Sequence, residues 1–162
     1  MIPKANDAVS ANHTKTGNYQ ENDTSPEPLL RANIQRFVRG VLGCSCPEAV
    51  FQTIHIDYNP RALVGTQRGY TITIGSKLLV LVIMTTNCPV TVNELGNILE
   101  RGRQARDRER LNRFRLVVAT PEPQLARSKL ESRFEARGMQ DNRIHLHIVS
   151  PDQLPVGKRY AG

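Results

Sequence analysis

The chain has no tryptophan, and its four phenylalanines and four tyrosines make up only 5% of 162 residues. Readers of single-stranded nucleic acid stack bases on aromatic side chains, so that mode is poorly supplied here. Cysteine is scarce as well. Three cysteines form no stapling pattern, which argues for a reducing, cytoplasmic setting and against structural disulfides. No apolar run approaches the roughly 18 residues of a membrane span. The longest, Leu78 to Met84, has the length of a strand. Met1-Ile2-Pro3-Lys4-Ala5-Asn6-Asp7 lacks the apolar segment of a secretory signal. A phosphate-cradling GxxxxGKS or GKT loop, a GxGxxG turn after a strand and a GxSxG elbow are all missing. Nucleoside-triphosphate, dinucleotide and hydrolase chemistry of those types are set aside.

Lysine is the minority cation, since seventeen of the 22 basic residues are arginine. Arginine offers a planar fork suited to phosphate and carboxylate, whereas lysine is a solvated point charge. The formal charge is +7, unevenly spread: residues 1–28 carry −2, and the remainder holds 20 basic against 11 acidic residues, or +9. An anionic partner is expected for the folded part.

Residues 1–25 are rich in Asn, Thr, Ser and Asp and read as a disordered polar tail. Residues 26–155 read as one α/β domain, and 156–162 as a flexible end. Ser25-Pro26-Glu27 resembles a helix start, followed by Leu30, Ile34, Phe37, Val38 and Val41 at helical spacing, with Gly40 and Gly43 ending the helix. Val50 to Tyr58 predicts a strand. Tyr70, Ile72 and Ile74 alternate with threonines in a second, and Gly75-Ser76 suits a type II′ hairpin. Lys77 to Thr85 is apolar on both faces, the mark of a central strand. Thr91 and Glu94 fit a capping box, flanked by Val90 and Leu95, and open a helix to about Asn112. Arg115 to Ala119, a helix from Thr120-Pro121 to Gly138, and Arg143 to Val149 complete the order αβββαβαβ. That order implies an antiparallel three-strand meander joined to a βαβ unit, a mixed sheet with helices packed on it.

Three clusters carry chemistry. Cys44 and Cys46, inside Gly43-Cys44-Ser45-Cys46-Pro47, could bind a transition metal such as zinc or work as a redox dithiol; the bland reading is small residues in a tight corner. Cys88 is the obvious third sulfur, but the meander puts it at the opposite end of the sheet, roughly 20–30 Å away. His145 and His147 share one face of a strand, as do His55 and Asp57. With strands in sequence order the two pairs are roughly 19 Å apart and independent. The third cluster is the arginine run around the second long helix, with Arg103, Arg106, Arg110 and Arg113 as candidate anion contacts. The inward stripe of Leu95, Ile98, Leu99, Gly102 and Ala105 continues into Arg106, Glu109 and Arg113, so the helix is expected to run past the core. The alternative is a solvated helix with ordinary i,i+3 ion pairs, Arg106 with Glu109 and Asp107 with Arg110.

The helix, three-strand and βαβ order over about residues 29–120 is similar to the core of the restriction-endonuclease-like fold. That family's motif would place an acid-x-Lys on the third strand, and Val82-Ile83-Met84-Thr85-Thr86 has neither residue. Separately, Leu42-Gly43-Cys44-Ser45-Cys46-Pro47, with Arg106-Asp107, Asn112-Arg113-Phe114-Arg115 and His145-Leu146-His147, resembles a small uncharacterised bacterial α/β family with an LGCxCP motif. That resemblance assigns no activity to any residue. The sequence therefore points to a cytoplasmic binding module that engages an anionic partner, nucleic acid or another polyanion, through its Arg-rich helix. The rival reading is a metal or thiol-redox protein using Cys44 and Cys46. A scaffold for a protein partner is the third. No cofactor, membrane contact or catalytic residue is expected.

Overall fold

β-Branched and aliphatic runs set a five-stranded sheet whose strands lie in chain order. They are β1 (Ile54–Asp57), β2 (Arg68–Ile74), β3 (Leu78–Met84), β4 (Arg113–Ala119) and β5 (Ile144–Val149). The first two pairings are antiparallel and the last two parallel. The helices are α1 (Pro28–Arg36), the one-turn α2 (Arg61–Val64), α3 (Val92–Arg108) and α4 (Pro123–Ala136). The computed structural model describes residues 26–65, 67–86, 90–137 and 141–157. The expected tail 1–25, Ser25 as a cap, Cys88, and Gly138 as a helix stop lie outside the described residues.

The architecture is the expected mixed α/β one: a meander, then parallel strands joined through helices. β3 is central and apolar on both faces, as its sequence requires. Leu78, Val80 and Val82 pack with Ile34, Phe37 and Val38 on one side. Leu79, Leu81 and Ile83 pack with Leu95, Ile98, Leu99 and Leu130 on the other. Among the described residues no helix is long and apolar enough to cross a membrane.

Local departures have local causes. Pro47 heads a 3-10 turn, Glu48–Gln52, whose Val50 N–H donates to the Pro47 carbonyl at 3.2 Å, so the first strand begins only at Ile54. α1 starts at Pro28 rather than Pro26, and its last turn widens into a π-helical turn, Phe37–Val41. The β2–β3 turn has positive φ at both Gly75 (57°) and Ser76 (52°), which makes it type I′ and not II′. The Thr91–Glu94 capping box is present, with both hydrogen bonds formed. α3 stops at Arg108, short of Asn112. Arg110 adopts φ 57°, its N–H donates to the Asp107 carbonyl (3.1 Å), and the Leu111 N–H donates to the Arg106 carbonyl (2.9 Å). That is a Schellman ending with arginine where glycine is usual. Val156, placed by sequence in the terminal tail, is buried in the core.

Candidate anion-binding edge

The four arginines singled out by sequence divide in two. Arg106 is 1% exposed, donates to Asp107 Oδ1 through Nη2 (2.7 Å) and Nε (2.9 Å), and to Asp141 Oδ2 through Nη1 (2.7 Å). It is part of the core and cannot meet a partner. The expectation that α3 has run past the core at this point is therefore corrected: Ala105 and Leu111 are buried on either side of it. Arg103 is tied to Glu100 (2.6 Å) and Asp107 (3.3 Å), so the ion pairs differ from the expected Arg106–Glu109 and Asp107–Arg110. Burial pushes the Asp141 carboxyl up, but the bonds from Arg106 and from the Arg143 N–H outweigh it and hold the group below its ordinary value.

Arg110 and Arg113 are exposed, and among the described residues neither is paired with a carboxylate. Arg113 opens β4 beside Leu78 of β3. The N–H groups of Asn112 and Arg113 both donate to the Lys77 carbonyl, at 2.8 and 3.0 Å, which ties Lys77 to Arg113 through the backbone. Both side chains line a cavity of about 270 Å³ that has Cys44, Cys46, Pro47 and Leu78 on its other walls and no acidic residue in its lining.

That same cavity places the cysteine corner. Gly43 turns the chain at φ 64°, the Cys44 N–H donates to the Val38 carbonyl (3.0 Å), and Arg39 donates to the Cys46 carbonyl from Nη2 (3.0 Å) while pairing with Glu48 (3.1 Å). Cys44 and Cys46 form a disulfide, with Cα atoms 5.2 Å apart. The expectation that the chain holds no structural disulfide is corrected. Pro47 and Gly43 fold the corner tightly enough to bring two sulfurs from alternate residues together. A disulfide offers a metal no thiolate. Among the described residues no three of His, Cys, Asp and Glu gather into a cation site.

His55 and Asp57 lie on the α3 face of β1, where they line a separate groove of about 310 Å³ with Thr71, Arg101, Arg108 and Glu109. Its charges are mixed. His145 and His147 lie on the opposite face of β5, at the far edge of the sheet, so the two pairs do not converge. What sequence reasoning missed is Arg115. Period-two alternation from Arg113 puts it on the α1 face, directly beside His145 in register. Arg115 is 6% exposed and its Nη1 lies 3.4 Å from His147 Nε2. Burial, and then the cations Arg115 and the neighbouring His145, push the His147 pKa down to about 4. Burial and Arg115 lower His145 as well. A neutral His147 can accept from Arg115 at Nε2, which puts its proton on Nδ1.

Comparison with protein-family models, with curated proteins and with solved structures finds no match to this chain.

Proposed function

We propose that this chain is a binding module for a phosphate-bearing anionic partner, nucleic acid in the first instance. The contact is the edge formed by Lys77, Arg110 and Arg113, not the length of α3. One observation carries the reading: Lys77 and Arg113 line a single cavity with no carboxylate in its lining, while the other α3 arginines named by sequence are spent on internal ion pairs. The left-handed Arg110 supports it. A residue held where glycine would be easier invites a functional reason. Fluorescence titration with duplex and single-stranded oligonucleotides over about 50 to 300 mM salt tests the proposal. Affinity is expected to fall steeply with salt, and the log–log slope to drop by about one for each of Lys77→Ala and Arg113→Ala. No binding at the lowest salt sinks it.

The second reading is thiol–disulfide exchange. It is favoured by the position of the Cys44–Cys46 bond in the wall of the same cavity, with Cys46 only half-buried. Incubation with a small monothiol, read by mass spectrometry, gives a mixed disulfide at Cys46 if this reading holds, the attacking thiolate breaking the Cys44–Cys46 bond and releasing Cys44 as thiolate; an unreactive bond removes it.

A further inference from the structure

Among the described residues two arginines are almost fully buried, and they are treated differently. Arg106 has two carboxylates against it. Arg115 has none among the described residues, and its Nε has no hydrogen-bond partner there. Its recorded contact is Nη1 to the neutral His147. A guanidinium withdrawn from water without a counter-charge is strongly unfavourable, and folds that keep one generally give it an anion. Space adjoins the His147 side of this contact, in a cavity that His147 lines and Arg115 itself does not. That cavity, of about 280 Å³, is closed by Gly40 and Val41 of the π-helical turn, by Val149 and Gln153, and by Arg127 of α4. Single π turns inside helices occur often at functional sites.

We propose that Arg115 and His147 form a site for one oxyanion group, a phosphate or a carboxylate, reached through this cavity. The unpartnered Nε–H of Arg115 supplies a charge-assisted donor and His147 holds the opposite end of the guanidinium in place, while Arg127 at the cavity wall already pairs with Glu131 (3.5 Å) and donates to the Ile148 carbonyl (3.2 Å). On the same face His145 stands beside Arg115 in register on β5, and Val117, Ala119 and Val149 continue it as core. The site is independent of the polyanion reading, because it takes a single anionic group and needs neither Lys77 nor Arg113.

The test uses the full chain, with inorganic phosphate, acetate and chloride added in turn at constant ionic strength. Nitrogen-15 spectra of the arginine Nε–H groups are recorded together with thermal unfolding. Phosphate or acetate, but not chloride, is expected to shift the Arg115 signal in a saturable way and to raise Tm; whichever acts identifies the anion. Arg115→Met should lose that response and, with the uncompensated charge gone, unfold about 2–4 °C higher than the native chain without anion. A Lys77→Ala/Arg113→Ala double variant should keep the full anion response even if it no longer binds oligonucleotides. The site is refuted if neither anion shifts the Arg115 signal, if Arg115→Met responds as the native chain does, or if Arg115→Met lowers the anion-free Tm, which would make Arg115 a structural residue.

Discussion

Arg106 Nη1 lies 2.7 Å from Asp141 Oδ2, joining α3 to the turn that leads into β5. The arginine is buried and the carboxylate only partly so, and this asymmetry predicts unequal costs. Asp141→Ala leaves a buried guanidinium with Asp107 alone and should cost about 2–4 kcal/mol in urea unfolding. Arg106→Met removes the buried charge itself, and the carboxylates it leaves reach water. It should cost less than half as much. The reverse order would show that packing, not charge compensation, dominates the contact.

Replacing Arg110 by glycine separates stability from binding. At φ 57° glycine carries no Cβ penalty, so Arg110→Gly should stabilise the fold by about 1 kcal/mol. Under the proposed function it should also weaken oligonucleotide binding. Chemical denaturation and a binding titration on the same sample check both halves.

The two glycines inside α3 should respond oppositely to alanine. A Cβ on Gly102 would strike the ring of Phe114, which is fully buried and cannot withdraw. Gly102→Ala should cost about 1–3 kcal/mol. A Cβ on Gly96 meets the far end of the Arg137 side chain, a flexible group that would have to shift from its present contacts. With the gain in helix propensity set against that shift, Gly96→Ala should change stability by less than about 0.5 kcal/mol. Thermal unfolding of the two variants side by side is the measurement.

His147 makes stability depend on acid. Its pKa is about 4 when folded and near the ordinary 6.5 when unfolded. Between these values the unfolded chain binds more protons, so stability is complete above about pH 6.5 and falls as the pH drops toward 4. The limit of this loss is about 3 kcal/mol, reduced by the partial exposure of the ring. Among the described residues Arg115 and His145 act on it and Arg127 lines the same cavity, and His145, whose pKa is also lowered, adds in the same direction. His147→Gln should flatten the profile in denaturant titrations between about pH 4 and 7; an unchanged profile would place the sensitivity elsewhere.

Reduction of Cys44–Cys46 should matter little to the fold. The bond closes a loop of three residues, for which the chain-entropy relation gives about 1.6 kcal/mol. Urea midpoints with and without reductant should differ accordingly, and a loss above about 3 kcal/mol would mean the corner itself collapses on reduction.

Strand order and helix placement were legible because each element carries its own period: alternation in β2, a two-sided apolar run in β3, and a capping box opening α3. The π-helical turn and the 3-10 turn after Pro47 were not, since each depends on how a short segment is pulled onto the sheet. Arg106 misled because a charge on an apolar stripe reads as the end of burial. Part of its compensation comes from the adjacent Asp107, and the rest from Asp141, 35 residues away in sequence and invisible to helical spacing. Arg115 could have been flagged, because it alternates with Val117 and Ala119 on one face of a strand. That no described carboxylate pairs with it required the fold. The Cys44–Cys46 bond needed the corner's geometry, which Gly43 and Pro47 suggest but do not dictate.

Because every strand is hydrogen-bonded to the one before it in the chain, the sheet can be laid down in the order of synthesis, with no strand wedged later between two earlier neighbours. During that growth β3, the most apolar strand, has one edge unpaired until α3 and β4 have emerged. A slow or interrupted ribosome at that point would leave an adhesive, half-made sheet, so yield on expression should hinge on how quickly α3 brings β4 home.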